Sequence, residues 1–239
     1  MKRRKGLFFL IIFFSVLRLS AQTVIKGFEY TEIVNISNTY SQMPSLSFNM
    51  VFSYADSAHP DSIQEQLTGS FKIQNGMFWS MIDSTELLQG SNFNISVFHR
   101  DSVITISPAQ PAPNLLQLPF LDSLFRSQNI DSMNVTKVND STRNLRMYFN
   151  ARSQFTSGTM QYDPGSYLLK SVTYNVKTPS TPDDPGSGIS ILKILFSGYS
   201  GQLIDANYFR EDKFIYKQGT QFLGQPPYNT FQLVVNTGN

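Results

Sequence analysis

The side chains that most often do chemistry are few in this sequence and far apart. His59 stands before Pro60 in a loop-like stretch, and His99 stands beside Arg100 at the end of a strand-like one. A helical zinc site needs two histidines a turn apart with a further donor nearby, and neither histidine has a partner at such a spacing. A serine nucleophile needs a G-x-S-x-G elbow on a strand-to-helix turn. Gly198-Tyr199-Ser200-Gly201 is one residue short of that spacing and closes a strand pattern. Gly186-Ser187-Gly188 has no helical pattern after it to cradle a phosphate. Glu29, Glu32, Glu65, Glu86 and Glu211, with twelve aspartates, could supply a carboxylate pair in space, but no spacing nominates one. No catalytic residue, metal ligand or cofactor is therefore predicted, and the expectation is a binding protein rather than an enzyme.

A different pattern recurs. Asp56, Asp61, Asp83, Asp101, Asp122, Asp131 and Asp140 are each followed by serine, which is seven of the twelve aspartates and more than chance pairing gives. The third residue is aliphatic, Ala, Met or Thr each time, and the triplet resembles the O-glycosylation site that some Gram-negative bacteria use on exported proteins. Ser57, Ser62, Ser84, Ser102, Ser123, Ser132 and Ser141 are the candidate glycosylated positions. The same pairs also suit turns, because Asp and Ser side chains bond nearby backbone groups and the next residue can open a strand.

The first residues explain why such a site would be met by a glycan-attaching enzyme. Lys2 to Lys5 is basic, Leu7 to Leu17 is an apolar run of eleven residues, and Ser20-Ala21 is a small-residue exit. That is the layout of a secretory signal peptide over residues 1–21, with the run too short for the roughly 20 residues of a membrane span. The leader holds five of the 19 basic residues and none of the 17 acidic ones, so residues 22–239 carry 14 against 17, a net charge of −3. The basic balance of the whole chain thus comes from the leader, and no basic, aromatic-interleaved patch argues for nucleic acid. Cysteine is absent, so no disulfide is expected even in an oxidising compartment. The expected location is the periplasm of a Gram-negative bacterium or the cell exterior, with a chain that is soluble once the leader is cut.

The elements that carry these residues are mostly strands. Leu46, Phe48, Met50, Phe52 and Tyr54 alternate with polar positions, the period of a strand with one apolar face. Similar runs recur to the C-terminus, separated by Gly, Asn, Asp and Pro, and Asn75-Gly76 is a strong hairpin signal. Hairpins in succession with no helices between them imply an antiparallel meander within one domain over residues 22–239. Two stretches break the pattern. Residues 23–36 read as a short helix, and residues 108–129 read as two helical pieces around Pro119 after a Pro-rich lead-in. Residues 178–188 read as a long polar loop. Trp79 shares a strand face with Met77 and Met81, a stripe that suits core packing or an adaptable apolar pocket.

The order of these pieces, from the leader through "GSFKIQNGMFWSMIDSTELLQGSNFNISVFHRDSVITI" to "MQYDPGSYLLKSVTY" and "ILKILFSGY", resembles the periplasmic outer-membrane lipoprotein carrier superfamily (LolA/LolB-like). The resemblance implies a mainly β, α+β fold: an incomplete antiparallel β-barrel of about 11 strands with a short helical lid and an N-terminal helix. It also implies a cavity for a lipid or lipoprotein acyl chains between sheet and lid. The lining would be Phe48, Met50, Phe52, Phe71, Ile73, Met77 and Trp79 on the sheet, facing Leu115, Leu118, Leu121 and Phe125 on the lid. No motif around Arg100, Arg143, Arg146 or Arg152 identifies a lid-latching arginine. A second reading is an envelope protein with a structural or protein-binding role and no small ligand.

Intact mass spectrometry of the protein from its native host is expected to show a chain beginning at Gln22 with glycan on some of these serines. A product beginning at Met1 contradicts the leader, and a bare polypeptide mass contradicts the glycans.

Overall fold

A computed structural model describes residues 27–109, 130–177 and 188–236. The signal-peptide reading of residues 1–21, the lid residues Leu115, Leu118, Leu121 and Phe125, and Ser123 lie outside the described residues. Helix α1 (Phe28–Gln42) is followed by strands β1 (Ser45–Asp56), β2 (Ile63–Gln74), β3 (Met77–Ile82), β4 (Thr85–Gln89), β5 (Phe93–Phe98) and β6 (Val103–Pro108). Then come β7 (Ile130–Asn139), β8 (Thr142–Phe149), β9 (Phe155–Tyr162), β10 (Leu169–Lys177) and β11 (Ile189–Ser200). A C-terminal stretch holds β12 (Ile215–Gln218), β13 (Gln221–Gly224) and β14 (Gln232–Val235) between short 3-10 turns.

Twelve of these strands form one sheet, in the order β14-β6-β5-β4-β3-β2-β1-β11-β10-β9-β8-β7. The sheet is curved and does not close into a barrel. All neighbours are antiparallel except β14, which returns parallel to β6 with Gln232 beside Val103. The expected incomplete barrel and N-terminal helix are therefore present. Two short strands, β4 (TELLQ) and β13 (QFLG), fall outside the alternating runs, because in each two apolar residues stand side by side. Helix α1 also sits further along the chain than residues 23–36. In its last turns, Ser37 to Ser41 are poor helix formers, and packing holds them. Ile33, Ile36 and Tyr40 fall three and four residues apart and all are buried.

Turn chemistry sets the register. Asn75 and Gly76 both have positive φ (51° and 79°), as a two-residue hairpin that follows the strand twist requires. Gln74 is thereby paired with Met77, Ile73 with Phe78 and Phe71 with Ser80. The Asp-Ser pairs at 83–84, 101–102 and 140–141 occupy hairpin turns, and Asp56-Ser57 and Asp61-Ser62 bound the β1–β2 loop. Asp56 Oδ1 accepts the Ala58 N–H at 2.7 Å, which is the local bonding that favours Asp there. Ser62, Ser102, Ser132 and Ser141 are exposed, whereas Ser57 and Ser84 are half-buried.

The sheet buries its two faces in different places. On the face covered by α1, here the inner face, Leu46, Phe48, Met50, Phe71 and Ile73 pack with Leu145, Met147, Met160, Val172, Tyr174, Ile194 and Phe196. On the outer face of β3 to β6, Trp79, Leu88, Ile95, Val97, Ile104 and Ile106 pack beneath the C-terminal residues Ile204, Phe209, Phe214, Ile215 and Tyr228. Large rings are seated on the inner face over glycines. A Cβ at Gly158 would lie 2.9 Å from the Tyr174 ring and 3.2 Å from Met147 Cε, and one at Gly69 would lie 2.8 Å from the Phe71 ring.

Helix α1 is fixed to the inner face at two points. Buried Glu32 accepts hydrogen bonds from the Tyr162 hydroxyl and, at 3.1 Å, from Arg143 Nη1. Two turns later, the Tyr40 and Tyr199 hydroxyls are hydrogen-bonded to each other, Leu169 N–H donates to Tyr40 at 3.0 Å, and Tyr199 donates to the Leu169 carbonyl at 2.9 Å. Burial pushes the Tyr40 hydroxyl up to about 12, against the lowering pull of its bonds to Tyr199 and Leu169. Burial also raises Tyr199, Tyr162 and Tyr174. Below pH 10 these tyrosines are neutral in both folded and unfolded chains, so their contribution is fully present. Above pH 10 the unfolded chain ionises first and stability is lost. Tyr40 alone is expected to remove about 2–3 kcal/mol between pH 10 and 12. Urea unfolding measured across that window checks this, and Tyr40→Phe should flatten the alkaline limb.

Candidate functional site

The inner face is the place where the sheet offers more apolar surface than α1 covers. Pairing lines up Leu67, Phe52, Ile194, Val172, Met160, Leu145 and Val135 in one row across seven strands. The next row away from the helix holds Tyr54, Leu192, Tyr174, Gly158, Met147 and Met133. The middle of these rows is buried core, but their flanks are not. Phe52, Ile82, Leu192 and Val176 are half-buried, and Leu67 is 37% exposed. An apolar floor therefore continues beyond the part that the helix fills.

Toward β4 to β6 the same face turns polar. Ser80, Gln89, Asn94, Ser96, Thr105 and Ser107 share it with Phe78, Leu87 and Phe98, as the pairings Phe78↔Gln89↔Asn94↔Ser107 and Ser80↔Leu87↔Ser96↔Thr105 require. Ser80 is fully buried, and Ser80 Oγ and Asn94 Oδ1 have no hydrogen-bond partner among the described residues. Such orphaned groups are uncommon in folded proteins and cost about 1–3 kcal/mol when nothing offsets them. The inner wall is thus greasy over β1, β2 and β11 and capable of hydrogen bonding over β3 to β6.

Of the residues expected to line a cavity, Phe48, Met50, Phe52, Phe71 and Ile73 share the inner face, with Phe48 stacked on Phe71 at 5.3 Å between ring centres. Met77 and Trp79 do not join them. The two-residue turn at Asn75-Gly76 exchanges odd for even positions, so Phe78 and Ile82 point inward while Met77, Trp79 and Met81 point outward. The inward set also includes Leu67, Leu192 and Ile82, and the alternation Leu67, Gly69, Phe71, Ile73 is the signal that finds the first of them.

Trp79 belongs instead to an outer-face cluster around Glu86. Glu86 is 2% exposed and accepts the Trp79 indole N–H at 2.7 Å and Lys213 Nζ at 2.9 Å on the same oxygen. His99 Nε2 lies 3.4 Å from the other oxygen, its ring against Tyr228 and Phe231. Lys72 sits over the rings of Trp79 and Tyr208. Glu211 reaches the β4–β5 turn, accepting the N–H groups of Asn92 and Phe93 at 2.7 and 3.1 Å. A Cβ at Gly90 would lie 2.3 Å from that carboxylate, so the approach needs glycine. These contacts tie the C-terminal segment to the sheet. A shallow cleft of about 460 Å³ adjoins them, lined by Asn207, Arg210, Asp212, Lys213, Gln225 and Pro226, with Arg210 forked onto Asp212 at 2.7 and 2.8 Å. No group of three or more His, Asp or Glu side chains among the described residues is arranged to hold a metal ion.

No family model and no curated protein sequence matches the chain. Solved structures do resemble it. A conserved, uncharacterised protein from Thermus thermophilus is similar over 87% of this chain and 100% of its own, with 10% identity and a TM-score of 0.46. A DUF1329 family protein from Desulfovibrio piger is similar over 77% and 96%, at 12% identity and TM-score 0.35. A LolA superfamily protein from Nitrosomonas europaea is similar over 78% and 99%, at 9% identity and TM-score 0.34. Similarities of this size assign no ligand and no activity.

The Glu86 cluster generates a stability prediction. Lys213→Ala leaves a buried carboxylate with Trp79 and His99 alone. Because Lys213 is 41% exposed at its side chain, the expected loss is held to about 1–2 kcal/mol. Thermal melting should show it, and Glu86→Gln in the same chain should recover part of it by removing the orphaned charge.

Proposed function

We propose that the protein is a secreted or periplasmic carrier of an apolar, chain-bearing ligand, a lipid or a lipoprotein's acyl chains, held on the inner face of its open sheet. The observation that carries this reading is the apolar floor that runs past α1 through Phe52, Leu67, Leu192 and Ile82 without being fully buried. A small closed barrel fills its interior with its own side chains, whereas an open one leaves inward apolar surface for another molecule to cover. The polar wall beside it, where Gln89, Ser96, Thr105 and Ser107 are half-buried, suits the hydrogen-bonding end of an amphiphile. Acyl chains would lie over β1, β2 and β11, and the head would face β3 to β6. The layout resemblance to lipoprotein carriers and the compartment implied by the leader agree with this reading.

A protein-binding envelope module without a small ligand is the second reading, favoured by the long strand β7 at the sheet edge.

The test uses Leu67→Asp. Leu67 is exposed enough that the substitution should cost the fold little, about 0.5 kcal/mol. A carboxylate on the acyl-chain floor is nonetheless strongly disfavoured once a chain covers it. Native mass spectrometry should find lipid on the wild type, and titration with a fluorescent fatty acid should show at least tenfold weaker binding by Leu67→Asp at nearly unchanged melting temperature. A wild type that binds no fatty acid, or a variant that binds it equally well, overturns the carrier reading.

A further inference from the structure

The sheet has two ends, and they are built differently. At one end β14 is a strand of four residues, Gln232–Val235. At the other, β7 runs for ten residues, Ile130–Asn139, and among the described residues its one neighbour in the sheet is β8. A long strand with one side unpaired presents a row of backbone donors and acceptors to any second strand. Short edges avoid this; β7 does not.

The side chains of β7 specify which strand. Laid antiparallel against a copy of itself with Asn134 at the centre, β7 meets a compatible side chain at every position from 131 to 137. Asp131 faces Lys137 of the second copy, Ser132 faces Thr136, Met133 faces Val135, and Asn134 faces Asn134. By two-fold symmetry each of the off-centre pairs occurs twice. The faces agree as well. Met133 and Val135 are half-buried on the inner side, so their pairing would extend the inner apolar layer across the seam, while Ser132, Asn134 and Thr136 are exposed on the outer side. Moving the two-fold centre to Met133 sets Asp131 against Val135, and moving it to Val135 sets Met133 against Lys137. The charge pair exists in the Asn134-centred register and in neither of these.

Two further features fit. The ladder to β8 is irregular between Ile130 and Ser132 and again between Lys137 and Asn139, and regular from Ser132 to Lys137. The irregularities mark off that run and resist slippage, and Asp131 stands in the first of them, immediately before the run begins. Lys137 stands across the ladder from Arg143, a like-charge neighbour that a carboxylate from the second copy would offset. Its ion pair with Asp140, at 2.5 Å, joins side chains that are 66% and 97% exposed, and exposed pairs of this kind hold weakly.

We infer that β7 is the seam of a two-fold symmetric dimer, in which two copies of the chain join edge to edge through antiparallel β7 strands centred on Asn134. The seam buries far less than a standard interface, so the dimer belongs to the weak class, forming at about 100 µM protein.

Sedimentation equilibrium of the full secreted chain tests this. The wild type should dimerise in that range. Asp131→Lys places lysine against lysine across the seam, and Lys137→Asp places aspartate against aspartate, so each should weaken dimerisation about tenfold or more. An equimolar mixture of the two variants should form a heterodimer, because opposite charges then meet at both pairs. The doubly exchanged chain, Asp131→Lys with Lys137→Asp, should return to within about threefold of the wild type. A wild type that stays monomeric to about 1 mM overturns the proposal. So do single variants that dimerise like the wild type, which would seat the second copy elsewhere, and a mixture that fails to associate while the wild type does.

Discussion

An open, almost wholly antiparallel sheet of twelve strands cannot leave a whole face in water, and the need to cover each face in the right place governs this molecule. Over β1, β2 and β8 to β11 the buried face is the inner one, closed by α1. Over β3 to β6 it is the outer one, closed by the C-terminal segment. The change of face happens at β2 and β3, where Phe71 and Ile73 face inward and Trp79 faces outward. Because each cover is a separate piece of chain, each needs its own polar fastening. Glu32 with Arg143 and Tyr162 fastens the helix, and Glu86 with Lys213 and Trp79 fastens the C-terminal segment. Both carboxylates are almost fully buried, and both are satisfied by donors from another element, the condition under which a buried charge is tolerated.

The same division frees the inner face of β3 to β6 from any duty in the C-terminal core. Serine, threonine and asparagine can therefore occupy positions that an ordinary sandwich would fill with valine or leucine. The result is a surface with an apolar half and a hydrogen-bonding half, continuous across the strand pairings. The arrangement follows from where the chain places its two covers.

Much of this was readable in the residues. The alternation from Leu46 to Tyr54 gives β1 and its inward face, and Asn75-Gly76 gives the hairpin. The open barrel is what the resemblance of the layout to the lipoprotein carriers implies. The outward facing of Met77 and Trp79 has a definite cause. Counting odd positions from Phe71 through Trp79 ignores that a two-residue loop pairs 74 with 77, so parity reverses across the turn. The outer core was hidden for another reason: Phe209, Phe214 and Tyr228 lie in 3-10 turns and loops, which carry no period. The contact of half-buried His99 with Glu86 was hidden likewise, since Glu86 is contributed by a five-residue strand. Partners of Glu32 lie more than a hundred residues away, a distance over which spacing says nothing.

The central claim is that the ligand's chain lies on the inner wall between β2 and β11. Photo-crosslinking with a fatty acid that carries a diazirine at its terminal carbon tests it most directly. Peptide mapping is predicted to find the label on Phe52, Leu67 or Leu192 and to leave Trp79 and Met81 unlabelled. Label concentrated on Trp79, Met81 or the C-terminal segment, or spread evenly over the surface, would contradict the account.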